Sequence, residues 1–225
     1  MKRNTSKPQS GSEYYAKARR IIPGGTQLLS KRPENILPEY WPSYYDSAKG
    51  CEVRGIDGRT YMDLSYGGIG ACILGYADPD VDDAVIGAIK KGVATTLNCP
   101  EEVELAELLC DIHPWADKVR YARSGGEAMA VAVRISRAYT GRDKIIFCGY
   151  HGWSDWYLAA NISAEGALDH HLLQGLEPRG VPRGLAGTAL PFRYNELEEL
   201  QNLLESNRGN VAAVVMEPIR YNEPS

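Results

Sequence analysis

The sequence predicts an α/β protein: a parallel sheet with crossover helices, preceded by a small antiparallel segment. Three observations predict it. Short apolar segments at 119–122, 144–148 and 211–216 alternate with helical patterns over 127–139 and 195–205. Asp57-Gly58 stands between two strand-like runs, 51–54 and 60–64, and marks a hairpin with a tight primed turn. Helix punctuation brackets "ADPDVDDAVIGAIKKG" at both ends.

Residues 13–20 fit a short helix that stops at "IIPGG". From 21 to 42 the chain is rich in Pro, Gly and polar residues without a sustained period. That composition fits an irregular arm over a binding site or partner subunit, and equally a plain surface loop. In the next helix Asp78 is the cap, Pro79 the first helical residue, and acids fill the first turn. Val81, Ala84, Val85, Ala88 and Ile89 form one apolar face. Lys90 and Lys91 complement the helix dipole and Gly92 ends the helix. A second helix, over 100–111, offers Val103, Leu105, Leu108, Leu109 and Ile112 for burial. Gly141 ends the helix that joins the first two sheet segments. The chain thus divides into a flexible tail (1–12), an arm with a small-domain segment (13–74), and part of a larger domain (75–225).

The chain has 225 residues, 44% apolar and 24% charged, a soluble globular balance. A net charge of -4 argues against nucleic acid as partner. The basic cluster Lys2, Arg3 and Lys7 sits among polar residues and reads as a frayed tail. No apolar run approaches the ~20 residues of a membrane span, and no secretory h-region follows the first basic residues. Five cysteines are widely spaced with no C-x-x-C pair. The expectation is a reduced, cytoplasmic protein with no metal site and no membrane partner.

In open α/β sheets, ligands sit beyond the carboxyl ends of the strands. Those ends here are "RSGGE" (123–127), "GYHGWSD" (149–155) and Glu217-Pro218. Ser124-Gly125-Gly126 at a helix start offers N–H groups, a hydroxyl and a positive dipole end, which together seat a phosphate. An isolated Ser-Gly-Gly is more often only a helix capped by its serine. The pattern is neither G-x-G-x-x-G nor a P-loop. Tyr150 can stack on a flat heterocycle and His151 can donate or accept a hydrogen bond. Alone, Tyr150, Trp153, Trp156 and Tyr157 read as an aromatic patch. Together the two stretches suit a flat ring with a phosphate arm.

The stretches "IIPGGT", "GCEVRGIDGRTYMDL", "GYADPDVDDAV", "RSGGEAMAVAVRISRAYTGRDKIIFCGYHGWSD" and "VAAVVMEPI" resemble the class III aminotransferases, within the fold-type-I pyridoxal-phosphate (PLP) enzymes. Among these the chain is most similar to the glutamate-1-semialdehyde 2,1-aminomutase group. The resemblance implies pyridoxal 5'-phosphate as cofactor, with its phosphate on Ser124, Gly125 and Gly126. Gly126 stands where the family has Thr or Ser. Tyr150 stacks on the ring with His151 beside it, and Glu217 lies near the cofactor. A basic residue of the arm, Arg32 or Lys31, meets the substrate carboxylate. Residues 161–190 correspond to a mobile gating loop, here longer and more basic, with His170 and His171 solvated rather than ligating a metal.

The resemblance also implies a Schiff-base lysine and an acid against the pyridine nitrogen, both after the Glu-Pro motif. The sequence reaches Ser225 before either. Lys90, Lys91, Lys118 and Lys144 all fall at the wrong ends of their elements. The chain therefore reads as an N-terminal portion of a homodimeric aminotransferase or aminomutase, inactive by itself. The alternative is a truncated, non-catalytic paralogue that serves as a binding or dimerisation partner.

Overall fold

The computed structural model describes residues 10–65, 67–171 and 175–218. Most of the expected tail, 1–9, lies outside them. Backbone contacts divide the chain into two units, Met1–Cys99 and Pro100–Ser225.

In the first unit, helix α1 (Gly11–Ile21) starts earlier than its apolar pattern because Ser10 Oγ accepts the Glu13 N–H. A three-stranded antiparallel sheet follows, in the order β1 (Tyr45–Lys49), β2 (Glu52–Gly55), β3 (Thr60–Met62). Strand β1 was not expected: its residues YDSAK lack the β-branched signature, and pairing of Lys49 with Glu52 across the Gly50 turn creates it. The hairpin forms where Asp57-Gly58 predicts it, but not as a two-residue primed turn. Gly58 N–H donates to the Gly55 carbonyl and Gly55 N–H to the Arg59 carbonyl. Only Gly58 (φ 81) is left-handed, so this is a type I turn closed by a glycine bulge. The Asp57 carboxylate accepts the Arg59 N–H, a bond that favours this longer loop.

The short helix α2 (Gly67–Gly70) leads to Tyr76, whose backbone pairs with Gly50 and whose hydroxyl donates to Asp63 Oδ2 at 2.5 Å. Helix α3 (Pro79–Lys91) has the expected punctuation: Asp78 accepts the Asp80 and Val81 N–H groups, and Gly92 (φ 98) ends it. Its apolar face remains uncovered by the described residues, with Ile89 57% exposed.

The second unit opens with helix α4 (Glu101–Ile112), whose Val103, Leu105, Leu108 and Ile112 also stay exposed. Residues 119–122, expected as the first sheet strand, adopt no regular secondary structure and join no ladder. A strand needs a partner edge, and none of the described residues supplies one here; Tyr121 instead donates its hydroxyl to the Glu102 carbonyl. Helix α5 (Gly125–Thr140) ends at Gly141, φ 65. Then come β4 (Lys144–Cys148), short helices α6 (Asp155–Leu158) and α7 (Ala160–Ser163), β5 (Ala189–Pro191), α8 (Leu197–Ser206) and β6 (Val211–Met216). The sheet is parallel, in the order β5-β4-β6. Strand β5 was missed because its three residues lie at the end of a long irregular stretch.

Central β4 organises the core. Ile145 and Phe147 face Val133 of α5, Trp156, Tyr157 and Leu168; Ile146 and Cys148 face Phe192 and the apolar side of α8. All four of these β4 side chains are fully buried, the mark of a strand covered on both faces. Burial of each large one contributes about 1.5–3 kcal/mol.

Candidate functional site

The site lies at the carboxyl end of β4. Beyond Cys148 the chain turns sharply through Gly149 (φ 100), presents Tyr150 and His151, and turns again at Gly152 (φ 95). At Gly152 the backbone meets the start of α5: a Cβ added there would stand 2.6 Å from the Gly126 Cα. Only a glycine allows that approach. Two stretches far apart in sequence are therefore in van der Waals contact, backbone on backbone.

At the α5 start, Ser124 is the N-cap: its Oγ accepts the Glu127 N–H at 3.3 Å. Glu127 Oε2 reaches back to the Arg123 N–H at 2.8 Å, a variant of the capping box. The capped-helix reading of Ser124 is therefore correct, and it does not exhaust the residue. With Oγ accepting, the hydroxyl proton is available to donate. Gly125 and Gly126 supply first-turn N–H groups, which have no intrahelical acceptor, at the positive end of a 16-residue helix.

Tyr150 is half-buried, edge-on to Tyr157 with ring centroids 5.6 Å apart. Burial raises its phenol above the ordinary value, opposed by a hydrogen bond from Trp153. His151 is buried, and its Nε2 lies 2.8 Å from the Cys148 carbonyl oxygen. A carbonyl only accepts, so Nε2 carries a proton and donates it to Cys148. The ring stacks on Trp156 at 29° and meets Phe147 edge-on.

Glu217 follows β6, and its carboxyl group packs over Gly149: a Cβ on Gly149 would lie 3.3 Å from it. The second unit thus gathers Ser124, Gly125, Gly126, Tyr150, His151 and Glu217 around the end of β4. The expected placement of the Ser-Gly-Gly turn at a strand end is replaced by another route, since no ladder precedes it; its contact with Gly152 does the bringing.

His171 escaped the sequence reading, which left it solvated. It is half-buried, packs against Phe147 at 5.8 Å, and accepts the Gly149 N–H on Nδ1 at 3.1 Å. Its exposed neighbour His170 stays in solvent. The expected gating stretch 161–190 is well packed in part, with Leu168 and Ala189 buried; Leu172, Leu173 and Gln174 of it lie outside the described residues. A clue was available in its spacing of apolar residues, but not the contact itself. Among the described residues no cluster of His, Cys, Asp and Glu could hold a metal, and no helix is long and apolar enough to cross a membrane.

Arg32 and Lys31 belong to the first unit. Arg32 is turned onto Gly24, within a small hollow shared with Tyr15, Arg19 and Glu34, and its Nε is buried without a partner. Lys31 lines a separate cavity of about 770 Å³ with Trp41, Tyr44, Tyr61, Asp63 and Tyr76.

Of the lysines in the second unit, Lys144 starts β4, at the far end from Gly149, with Nζ 2.5 Å from Asn207 Oδ1. Lys118 lies six positions before Ser124 in the chain.

Comparison with known proteins follows the same outline. The family model "Aminotransferase class-III" matches residues 38–222. The chain is 38% identical over 214 residues to glutamate-1-semialdehyde 2,1-aminomutase of Chlorobium chlorochromatii, covering 93% of this chain and 48% of that one. It is 33% identical over 210 residues to 3-aminobutyryl-CoA aminotransferase of Cloacimonas acidaminovorans, covering 92% and 46%. A solved transaminase with PLP bound superposes with a TM-score of 0.78 at 27% identity, over 93% of this chain and 47% of that one. The chain spans about half the length of the curated relatives it matches.

Proposed function

The chain belongs to the class III aminotransferases, and we propose that its second unit holds the phosphate and one ring face of pyridoxal 5'-phosphate for amino-group transfer on a small amino or carbonyl compound. The fold agrees with that of solved transaminases, and PLP is the cofactor that the family and these neighbours imply. One observation carries the reading: Gly152 against Gly126 puts an anion-seeking helix start beside an aromatic platform.

The residues fit the group. A phosphate needs donors without acceptors, and Gly125 N–H, Gly126 N–H and the Ser124 hydroxyl are such donors. A flat pyridine ring needs a face, which Tyr150 offers. His151 holds the turn that carries Tyr150, and Glu217 closes the far side near Gly149. When bound, PLP supplies an aldehyde that takes up amino groups and a ring that withdraws electrons. This chain's own residues bind and orient it.

A lysine is needed to carry the cofactor covalently and to move a proton. Lys144 stands at the opposite end of β4 from Gly149. We therefore read these residues as the holding half of a site, without transfer activity of their own. The whole protein's homodimer, its substrate and a cytoplasmic location belong to this proposal too. For the substrate carboxylate, Arg32 and Lys31 remain the two candidates in the arm.

A second reading, a non-catalytic binding partner, draws on the uncovered apolar faces of α3 and α4. Titration with PLP, followed by quenching of tryptophan fluorescence, tests the first. Saturable binding weakened by Ser124→Ala and by Tyr150→Ala is the expected result. Binding indifferent to both substitutions, or none at all, would overturn it.

A further inference from the structure

The last ladder pair of β4 is Cys148 with Met216, and side chains hold the peptide groups just beyond it. His151 Nε2–H donates to the Cys148 carbonyl at 2.8 Å. The Tyr157 hydroxyl donates to the Gly149 carbonyl at 3.3 Å. The Gly149 N–H donates to His171 Nδ1 at 3.1 Å, from a residue 22 positions downstream. Gly149 is thus gripped on both sides while its φ of 100 turns the chain out of the strand.

The grip comes from a firm base. The segment 155–171 buries Trp156, Tyr157, Ala159, Ala160 and Leu168. The His171 ring rests on fully buried Phe147. Because Gly149 donates, Nδ1 carries no proton, which fixes the ring as the neutral Nε2–H form. Tyr150 follows Gly149 directly, and the Glu217 carboxyl packs on the Gly149 Cα. A rotation of this peptide would move both.

We propose that His171 is a positioning residue: its Nδ1 acceptor fixes the Gly149 peptide and, through it, the place of Tyr150 and Glu217. The part of this proposal that concerns PLP rests on the reading of Tyr150 as the ring platform. His171 itself touches no reacting atom. It acts as the outer support that keeps such a site from loosening.

Two substitutions in the full chain separate its acceptor from its packing. His171→Phe keeps a ring on Phe147 and loses the acceptor. His171→Asn gives up the ring and retains an acceptor oxygen near the Nδ1 position. Amide hydrogen exchange at Gly149 and Tyr150 and PLP affinity by fluorescence quenching are measured for both.

The expected result is faster Gly149 exchange and about fivefold weaker PLP binding in His171→Phe, with both restored to within about twofold in His171→Asn. The opposite order, Phe tolerated and Asn not, would make His171 a packing residue and overturn the proposal. Unchanged Gly149 exchange in both variants would overturn it as well. If exchange responds as expected while PLP affinity ignores Ser124→Ala and Tyr150→Ala too, positioning of Gly149 stands and the cofactor reading falls.

Discussion

Gly152 and Gly126 touch through their backbones, and that contact joins the start of α5 to the turn after β4. A methyl group on Gly152 would meet the Gly126 Cα at 2.6 Å, and its φ of 95 is a conformation that L side chains rarely adopt. Gly152→Ala is therefore expected to push the two stretches apart. Strain at such a residue costs about 1–3 kcal/mol. The melting temperature should fall, and PLP binding should weaken by about tenfold or more. Calorimetry and fluorescence titration measure the two effects. A variant with unchanged stability and affinity would show that the contact is not needed.

Gly126 behaves differently. A Cβ built there lies 3.5 Å from the Gly152 Cα and 3.9 Å from the Trp153 nitrogen, ordinary contact distances. Its backbone is helical, so no left-handed strain opposes a side chain. Gly126→Ser should therefore be tolerated and should lose less entropy on folding, worth up to ~0.5 kcal/mol. Its hydroxyl adds a donor at the proposed phosphate seat, and PLP affinity should rise by about two- to tenfold. Inorganic phosphate as a competitor checks that the gain is at the anion.

The Asp63–Tyr76 pair predicts how the first unit responds to pH. Hydrogen bonds from Ser65 and then Tyr76 hold the Asp63 carboxyl below its ordinary value of 3.8. The sign follows: the contribution is present above the unfolded pKa and is lost as pH falls through the lower folded one. The Tyr76 phenol is raised above 10.0, chiefly by its bond to Asp63. Its contribution is present below that value and is lost as pH rises through the folded pKa. Tyr76→Phe should move the acid-unfolding midpoint to higher pH and weaken the alkaline dependence, to which Tyr15, Tyr44 and Tyr61, also raised, still contribute. Circular dichroism across both limbs, with no change in either, would contradict the pairing.

Arg32 and Lys31 are adjacent in sequence but differ in setting. Arg32 fills the space beside Gly24 with its guanidinium, while Lys31 is exposed at the rim of the aromatic cavity. Arg32→Ala should destabilise the arm, by lost packing as much as lost charge. Lys31→Ala should leave stability within about 0.5 kcal/mol. Proteolysis of the arm reads the difference. Equal sensitivity in the two variants would refute it.

Much of this was legible in the sequence because local chemistry decides it. Asp78-Pro79, Gly92, Gly141 and the Val-rich run of β6 carry their structure in their own residues. The candidate site residues stand out by the same local chemistry, a Gly-Gly turn at a helix start and aromatics after a strand, although each stretch alone reads equally as a capped helix or an aromatic patch. What was not legible depends on partners. Residues 119–122 look like a strand but have no edge to pair with among the described residues. β1 and β5 look like loops but gain strand geometry from β2 and β4. His171 is a loop residue by composition, and only the fold brings it to Gly149.

The lysines give the final test. In the second unit Lys144 is committed to Asn207 at the amino end of β4, and the strand's rise of roughly 3.3 Å per residue separates it from Cys148 by more than a side chain can span. Lys118 lies before the irregular stretch that leads to Ser124. Treatment of this chain with PLP and then borohydride should therefore leave no lysine modified at one-to-one stoichiometry, although reversible binding is detected. Mass spectrometry of the digested protein decides it. A single lysine labelled quantitatively, with the label abolished by Tyr150→Ala, would show that the reacting half of the site is present after all. Scattered labelling of exposed lysines that ignores Tyr150→Ala would be surface chemistry and would leave the holding half as the role of these residues.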